Sequence, residues 1–316
     1  MQPLDINRTL AAISQPRLGS YRAFFAPADD LELYGLYCWN EALSSCLTSL
    51  INNLEITMRN AFHRELSYRY GGAAGTTSSD WYNTIGLAGR SLSNVQKITH
   101  EYVRGRHVPR TPIPNPDDVV SKLTFGFWKH LLDIRHDGQG LVVNWGDILT
   151  DILPNHRDGS PAYWARQRRQ DELFARMDLV GDLRNRIAHL EPLWKAGPLL
   201  QEGRPRRGFH PQVVQPAPTT PVQAIARLRL VHNRALELLY WISSHRADDY
   251  LKSSAYARFQ HITTIDGVQS YQYRQAGRKM SLLGLRKLIR SRSMVNGTIE
   301  LTHRGQIVAV ILPWGA

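Results

Sequence analysis

The sequence predicts a mainly α-helical protein: a bundle of helices followed by a small α+β segment made of one helix and one β-hairpin. Residues 30–70 contain no proline, and apolar residues recur there at spacings of three, four and seven, which is typical of a long helix packed in a bundle. This stripe consists of Leu36, Leu43, Leu47, Leu50, Leu54 and Met58. After about residue 260 the helical periodicity is lost, and a Gly-containing turn at 303–305 between residues 298–302 and 306–312 predicts the hairpin.

Capping and helix-breaking residues place the other helices. Gly71-Gly72 ends the long helix, and Asp117-Asp118 supply the acidic residues that favour a helix start. Ser160-Pro161 provide an N-cap and a first helical position, and Glu191-Pro192 stop the helix that follows. The prolines of the first thirty residues leave room for one short helix there. The predicted helices are 5–13, 30–70, 91–104, 117–132, 160–190, 222–244 and 281–292.

Two proline-rich stretches interrupt these elements. Four prolines between residues 109 and 116 predict an extended connector. Residues 196–221, which are rich in Pro, Gly and Arg, are expected to form a mobile basic loop. The change of pattern near residue 260 predicts two units, a helical domain at 1–255 and a small basic α+β segment at 262–316.

The charge balance points to a polyanionic partner. The chain has 316 residues, of which 42% are hydrophobic and 21% charged, as in an ordinary globular protein. Its 39 Lys and Arg residues outnumber its 27 Asp and Glu residues, which gives a formal net charge of +12. Nucleic acid is the commonest partner of such a surface. A basic surface that serves only solubility is the alternative.

Other classes of protein find less support in the sequence. The chain shows no apolar run near eighteen residues and no charged-then-apolar leader, so we expect a cytoplasmic protein without membrane contacts. Cys38 and Cys46 are expected to be buried apolar fillers in a reducing compartment. The twelve histidines form no metal-ligand spacing, so neither a metal site nor a cofactor is expected. A Ser/His/Asp or Cys/His nucleophile stays open, although no Gly-x-Ser-x-Gly motif is present.

The residues best suited to catalysis lie at the end of the helix predicted at 160–190. Arg184, Asn185 and His189 fall within six consecutive residues. Arginine presents a planar charged fork that fits a phosphate, and histidine exchanges protons near neutral pH. Asn185 and His189 are four residues apart and share a helix face. This set could cleave a phosphodiester without a metal, although charged residues at a helix end most often form a solvated face.

The sequence around these residues, Arg184-Asn-Arg-Ile-Ala-His-Leu-Glu-Pro-Leu-Trp194, resembles the signature of HEPN-domain ribonucleases, and in particular their abortive-infection (Abi-like) branch. Upstream segments resemble the same family in the same order, over roughly residues 10–245. They are Ile13-Ser-Gln-Pro-Arg-Leu-Gly-Ser-Tyr21, Leu36-Tyr-Cys-Trp-Asn40, Leu54-Glu-Ile-Thr-Met-Arg-Asn60 and Lys122-Leu-Thr-Phe-Gly-Phe-Trp128. One departure is Leu190, where many relatives carry a second histidine.

This resemblance implies a HEPN-type bundle and a metal-independent endoribonuclease. The 2′-hydroxyl of the RNA would attack the adjacent phosphorus, His189 would transfer protons, Arg184 would stabilise the developing charge, and Asn185 would orient His189 or the phosphate. The family also implies a homodimer whose two motifs face one cleft, and a toxin that arrests growth in phage defence, with an RNA or protein antitoxin as a candidate partner. An inactive HEPN domain that only binds RNA is the alternative.

Further residues are candidates for supporting roles around this motif. Glu55 and Arg59 form an i, i+4 pair, which by itself indicates a modest surface ion pair. The family resemblance suggests that Glu55, Arg59 and Asn60 pack near Arg184. We expect the basic residues among the candidates, Arg59, Arg186 and Lys195, to contact RNA phosphates. We expect Glu55, Asn60 and Glu191 to lie next to the catalytic residues and to support their positions.

The C-terminal segment carries a second resemblance. Ser281-x-x-x-Leu-Arg286, followed by Thr302-His-Arg-Gly-x-x-Val-Ala-Val-x-x-Pro313, resembles the DNA-binding and dimerising part of Phd/YefM-type antitoxins over some thirty-five residues. Residues 246–316 hold eleven Lys and Arg against four Asp and Glu, which favours phosphate contacts. The residues expected to contact nucleic acid or a second subunit are Arg286, Lys287, Arg290 and Arg292. The second hypothesis for the whole chain is therefore a non-catalytic RNA- or DNA-binding regulator.

Overall fold

The protein is mainly α-helical in the computed structural model, which describes residues 3–71, 78–103, 105–273, 278–281, 283–284, 286–287, 299–303 and 306–311. Within these ranges the helices are α1 (Ile6–Ile13), α2 (Gln15–Phe25), α3 (Asp30–Tyr70), α4 (Gly89–Thr99), α5 (Pro116–Ser121), α6 (Phe125–His130), α7 (Trp145–Ile152), α8 (Pro161–Trp164), α9 (Gln167–Ala188), α10 (Pro221–Ile242), α11 (Ser244–Leu251), α12 (Ser254–Ile262) and α13 (Ile265–Gln272). The strands are β1 (His100–Val103), β2 (Arg106–Pro109), β3 (Leu199–Leu200), β4 (Val213–Gln215), β5 (Arg278–Ser281), β6 (Ile299–His303) and β7 (Gln306–Ile311). No helix in the described part of the chain is long and apolar enough to cross a membrane.

Helix α3 is the element around which the bundle packs. Asp29 caps its N-terminus by accepting hydrogen bonds from the backbone N–H groups of Leu31 and Glu32. At 1.5 Å per residue its 41 residues span about 60 Å. Helices α2, α7, α9, α10, α11, α12 and α13 all contact it. Every residue of the predicted apolar stripe is buried, so the prediction of a long bundle helix at 30–70 is confirmed.

The helical body continues past the domain boundary expected at residues 255–262. Helices α12 and α13 both lie against α3. The indole Nε1 of Trp39 donates a hydrogen bond to the carbonyl of Ile262 at 2.8 Å. Gly35 lies so close to α13 that a Cβ atom there would stand 2.0 Å from the carbonyl oxygen of Tyr271. These contacts join residues more than 200 positions apart, which sequence periodicity cannot show.

Several predicted helices are shorter or divided. The helix expected at 117–132 is α5 and α6, separated at Lys122–Thr124. The helix expected at 160–190 is α8 and α9, because Arg166 adopts an extended conformation between them. The helix expected at 91–104 ends at Thr99 and is followed by the antiparallel hairpin of β1 and β2. Pro16 starts α2 instead of preventing it, since proline is compatible with the first helical turn.

The loop at 196–221, expected to be mobile, is anchored to the bundle. Arg206 donates two hydrogen bonds to the carboxylate of Asp171, at 2.7 and 3.0 Å. Arg227 of α10 donates to the carbonyls of Gly197, Gln215 and Pro216. Strands β3 and β4 pair within this loop. Two of its arginines, Arg204 and Arg206, therefore pair with carboxylates of the bundle, and the loop is held by these contacts where a mobile one was expected.

The C-terminal segment contains the expected hairpin. Strands β6 and β7 pair antiparallel with Ile299 opposite Ile311. The structure adds β5, which pairs parallel to β6. Of the helix predicted at 281–292, residues 283–284 and 286–287 have helical conformation. Ser281 ends β5, and residues 282, 285 and 288–292, which include Arg290 and Arg292, lie outside the described residues.

Replacing Gly35 by alanine should lower the free energy of unfolding by about 2 kcal/mol, because the new methyl group would overlap the backbone of α13. Gly19→Ala is the matched control, since Gly19 is also helical and a Cβ there meets nothing within 4 Å. That change should raise the free energy of unfolding by about 0.5–1 kcal/mol. Urea denaturation measures both, and equal effects would contradict the packing of α13 on α3.

Acid should destabilise the protein through His232, whose side chain is fully buried. Its ring stacks on that of Phe259 with the centroids 4.1 Å apart, and its Nε2 lies 3.0 Å from the Tyr250 hydroxyl. Burial lowers the pKa of His232 from 6.5 to about 4. The unfolded chain takes up its proton below pH 6.5 while the folded protein does not. The free energy of unfolding should therefore fall by about 2 kcal/mol between pH 7 and pH 5 from this group alone.

The His232→Gln variant should lose that part of the pH dependence in urea denaturation at the two pH values. His245→Gln is its control, because His245 is exposed and should keep the pH dependence of the parent protein. An unchanged difference between pH 7 and pH 5 in His232→Gln would show that His232 is protonated normally in the folded state.

Candidate functional site

The three residues predicted to be catalytic lie on the accessible surface at the end of α9. Helix α9 ends at Ala188, and His189 is its C-cap, with its backbone N–H donating to the carbonyl of Asn185 at 2.9 Å. Asn185 and His189 are exposed, and the Arg184 side chain is 41% exposed. The His189 imidazole makes no hydrogen bond with any residue that the structure describes. All three groups can therefore be reached by a ligand.

The chain turns sharply directly after His189. Leu190 has a φ of +54°, in the left-handed region that favours glycine. Its N–H donates to the carbonyl of Ile187, and the N–H of Glu191 donates to the carbonyl of Arg186. These two bonds are those of a Schellman motif, which usually has glycine at the left-handed position. A leucine there costs about 1–2 kcal/mol, so other contacts must hold the turn.

Polar side chains from two other helices hold this turn in place. Arg17 of α2 donates from Nη1 to the carbonyl of Leu190 at 2.9 Å. Asn40 of α3 accepts from the backbone N–H of Leu193 at 2.8 Å and donates to the carbonyl of Glu191 at 3.4 Å. Asn40 is 3% exposed, so both ends of its amide are used where no water competes. The backbone on the C-terminal side of His189 is therefore fixed to α2 and α3.

An aromatic cluster anchors the far end of the same turn. Trp194 is 2% exposed. Its ring centroid lies 5.1 Å from that of Tyr21, 4.6 Å from that of Phe24 and 5.0 Å from that of Phe25. Burial of so large a ring contributes several kcal/mol. Polar and apolar contacts thus fix opposite ends of one short segment.

Glu55 lies beside Arg184, as the sequence suggested. The carboxylate of Glu55 is 3.8 Å from Arg184 Nε. At this distance the contact is a long ion pair that leaves the guanidinium donors free for a ligand. Arg59, one turn along α3, donates to the carbonyl of Ser121 at 3.5 Å, and Asn60 is exposed.

Arg186 and Lys195 occupy different environments. Arg186 donates to the carbonyl of Pro192 at 2.6 Å, and its Nε lies 3.4 Å from the Glu191 carboxylate. Desolvation lowers the pKa of the Arg186 guanidinium. Arg186 and Glu191 therefore stabilise the turn, which leaves Arg186 poorly placed for the phosphate contact expected of it. Lys195 is exposed at the rim of a cavity of about 570 Å³ that Arg17 also lines.

The four upstream segments that carry the family resemblance converge on α9 and the turn that follows it. Segment 13–21 supplies Arg17 and Tyr21, segment 36–40 supplies Asn40, and segment 54–60 supplies Glu55. From segment 122–128, the Phe125 ring lies against Gly181 of α9, 3.3 Å from where a Cβ would stand. Candidate assignment from the sequence missed Arg17 and Asn40, although both lie within the quoted segments.

A cluster of Ser78, His63 and Asp117 does not have the geometry of a nucleophilic triad. Both the Ser78 hydroxyl and the Asp117 carboxylate approach the same ring nitrogen of His63, Nε2, at 3.3 and 3.1 Å. The other ring nitrogen accepts a hydrogen bond from the indole of Trp81 at 2.8 Å. A triad needs the hydroxyl and the carboxylate on opposite ring nitrogens. Ser78 therefore does not have the position of a triad serine, and the cluster joins α3 to α5.

Possible metal ligands and the basic residues of the C-terminal segment can be located only within the described residues. Within the described residues, His, Cys, Asp and Glu side chains form no group of three or more that could hold a metal ion. In the C-terminal segment Arg286 and Lys287 are exposed. Arg290 and Arg292 fall outside the described residues.

Replacing Leu190 by glycine should raise the free energy of unfolding by roughly 0.5–1 kcal/mol. This is the left-handed cost of about 1–2 kcal/mol reduced by the greater freedom of glycine in the unfolded chain. The side chain contributes little to packing, because it is 60% exposed. Leu190→Val should have the opposite sign, since a branched Cβ tolerates this conformation least. Thermal unfolding of both variants measures the effect, and stabilisation by valine would contradict the assigned turn.

The last turns of α9 and its C-cap thus carry an accessible guanidinium, an exposed carboxamide and an exposed imidazole, beside a turn that α2 and α3 hold. Comparisons of the chain with protein-family models, with curated proteins and with solved structures found no match.

Proposed function

We propose that the protein is a metal-independent endoribonuclease with its active site at the C-terminal end of α9. The observation that carries the proposal is that Arg184, Asn185 and His189 are all accessible on the last turns of one helix, beside a turn held by Arg17 and Asn40. An accessible acid–base group on an immobile backbone is what positioned proton transfer requires. The sequence resemblance to Abi-like HEPN ribonucleases supports the same assignment.

The proposed reaction uses the RNA as its own nucleophile. The 2′-hydroxyl oxygen attacks the adjacent phosphorus, and the bond to the 5′-oxygen of the next nucleotide breaks. The products are a 2′,3′-cyclic phosphate and a free 5′-hydroxyl. One proton leaves the attacking hydroxyl and one is given to the departing oxygen, so the reaction needs a base and an acid.

Each residue has a role that its environment permits. His189 carries the acid–base function, because its imidazole is exposed and unpaired among the described residues. Arg184 donates to the phosphoryl oxygens, with Glu55 keeping the guanidinium near the helix surface. Asn185 shares the helix face of His189 and can orient either the ring or the phosphate. One protomer supplies one such histidine, and a second copy in a homodimer would supply the other.

The charge of the protein favours this substrate class. A formal net charge of +12 attracts RNA over long distances. Lys195 and Arg17 border the cavity next to the turn, where they can contact the phosphates that flank the scissile one. The biological role that fits is a toxin in phage defence, as the family resemblance implies.

A second candidate function is that of a nucleic-acid-binding regulator without catalysis. The observation that favours it is the C-terminal sheet of β5, β6 and β7, together with the exposed cations Arg286 and Lys287. This candidate predicts binding of RNA or DNA with no strand cleavage. The experiment below separates the two.

The His189→Ala variant should lose RNA cleavage by a factor of about 10² to 10⁴, because the acid–base group is removed. Its free energy of unfolding should change by less than about 0.5 kcal/mol, since the side chain removed is exposed and has no partner among the described residues. His245→Ala, another exposed histidine, is the control and should cleave like the parent protein.

The measurement is the sequencing of RNA ends after incubation with purified protein, with and without a chelator. Cyclic phosphate ends in both conditions support the proposed reaction. Cleavage that the chelator abolishes, or that His189→Ala retains, would contradict it. Binding without any cleavage by the parent protein would favour the regulator.

A further inference from the structure

Two adjoining cavities lie near the opposite end of α9 from His189. One has a volume of about 440 Å³ and the other of about 800 Å³. They share a wall of His156, Arg157, Asp158, Tyr163 and Arg169. Arg169 and His189 are twenty residues apart on one helix and its cap, which corresponds to about 30 Å. The cavities are therefore separate from the proposed active site.

The larger, outer cavity is positively charged. Three arginines line it, against the single carboxylate of Asp158, while its one histidine, His156, adds no charge near pH 7. Arg166 is exposed, and its guanidinium has no ion-pair partner among the residues that the structure describes. Arg157 is 90% exposed and pairs with Asp158 at 3.2 Å. The arginines are Arg157, Arg166 and Arg169.

The charge at the start of α9 is the reverse of what helix stability favours. The first turn contains no acidic residue, and no side chain caps it. Arg166, Arg168 and Arg169 cluster there instead. Cations beside the positive end of a helix dipole are unfavourable unless an anion compensates them. Glu172, on the next turn, pairs with Arg168 at 3.1 Å and with Arg169 at 2.7 Å. Arg166 has no such partner among the described residues and lines the outer cavity, which indicates an anionic ligand there.

The smaller, inner cavity has an aromatic wall. The His156 ring centroid lies 4.5 Å from that of Trp241 and 4.8 Å from that of Trp164. Tyr163 and the 46% exposed Tyr240 complete the wall. A flat aromatic ligand can stack against such a surface. The cavity volume falls within the usual range for small-molecule sites.

One buried hydrogen-bonding group of a residue in the wall of the inner cavity is unsatisfied. Trp164 is 2% exposed, and its indole Nε1 finds no hydrogen-bond partner in the described structure. His156 Nδ1 accepts from the backbone N–H of Asp158 at 3.2 Å, which places the proton of the neutral ring on Nε2. Burial lowers the pKa of His156, so the neutral form prevails near pH 7.

Carboxylates supply acceptors in the inner cavity. Glu237 is 52% exposed and pairs with the buried Arg176, whose guanidinium lies over the ring of Trp241. Arg176 is also bound by Glu202, so two carboxylates share one buried cation. The free lone pairs of Glu237 can accept hydrogen bonds from the amino and imino groups of a base.

We propose that the two cavities form one binding site for a nucleoside 5′-phosphate. Its phosphate lies in the outer cavity among Arg157, Arg166 and Arg169, and its base lies against the aromatic wall of the inner cavity. The shared boundary at His156 and Tyr163 corresponds to the ribose. The site is distinct from the proposed RNA cleavage site and does not depend on it.

Isothermal titration of the full-length protein with AMP, GMP, inorganic phosphate and unphosphorylated guanosine tests the proposal. At least one nucleotide should bind at least tenfold more tightly than either guanosine or inorganic phosphate, because both cavities contribute. Equal binding of inorganic phosphate and the nucleotides would overturn it, since the aromatic wall would then have no role. No binding of any nucleotide would overturn it as well.

Nucleotide binding by variants tests where the phosphate and the base lie. Arg166→Ala and Tyr240→Ala should each weaken nucleotide binding about tenfold, through a lost charged hydrogen bond and a lost stacking contact respectively. Arg168→Ala is the matched control: Arg168 lies on the same turn, is 71% exposed and lines neither cavity. It should bind like the parent protein. Thermal unfolding confirms that each variant is folded, and unchanged binding in Arg166→Ala would overturn the assignment of the phosphate.

Two further experiments distinguish this site from a site that binds RNA. His189→Ala should bind nucleotides with an unchanged dissociation constant, whether or not RNA cleavage is found. A short oligoribonucleotide serves as the competing ligand. If the oligoribonucleotide binds with the same dependence on Arg166 and Tyr240 while free nucleotides do not bind, the site holds an RNA strand and the proposal of a free nucleotide is wrong.

Discussion

The buried amide of Asn40 is the contact on which the candidate active site depends. It binds the backbone of residues 191 and 193 from the N-terminal third of α3, where the surrounding core excludes water. Without it, the left-handed conformation of Leu190 would have to be maintained by Arg17, by the contacts of Arg186 and by the burial of Trp194. A buried amide that satisfies two backbone groups is costly to lose, because each group would remain unpaired. The position of His189 therefore rests on the long central helix.

Helix α9 connects the two surfaces to which function is assigned. At its C-terminal end Arg186 lies where the helix dipole favours a cation, and it contributes to the stability of the turn. At its N-terminal end the arginines lie where the dipole disfavours them. There Glu172 pairs with Arg168 and Arg169, whereas Arg166 has no ion-pair partner among the described residues. The two ends of α9 thus differ in how the charge of their arginines is compensated.

Not all of the arginines that contribute to the net positive charge are available to a polyanion. Arg176, Arg204 and Arg206 are paired with carboxylates inside the bundle or at its edge. Arg227 is buried against backbone carbonyls. The cations that remain available to a polyanion are those on exposed positions, such as Arg166 and Lys195. Composition therefore indicates the class of partner, and only burial indicates which residues can contact it.

The sequence by itself determined the helical class, the long helix α3, the hairpin of β6 and β7, and the location of Arg184, Asn185 and His189 at a helix end. These features depend on local periodicity and on capping or breaking residues, which act over a few positions. The tertiary structure alone decided where α8 and α9 separate, how α12 and α13 pack on α3, and which arginines of the 196–221 loop are used in ion pairs. It also decided that Arg17 and Asn40 hold the turn after His189. These contacts join residues that are tens to hundreds of positions apart, and no local pattern specifies which distant partner a side chain meets.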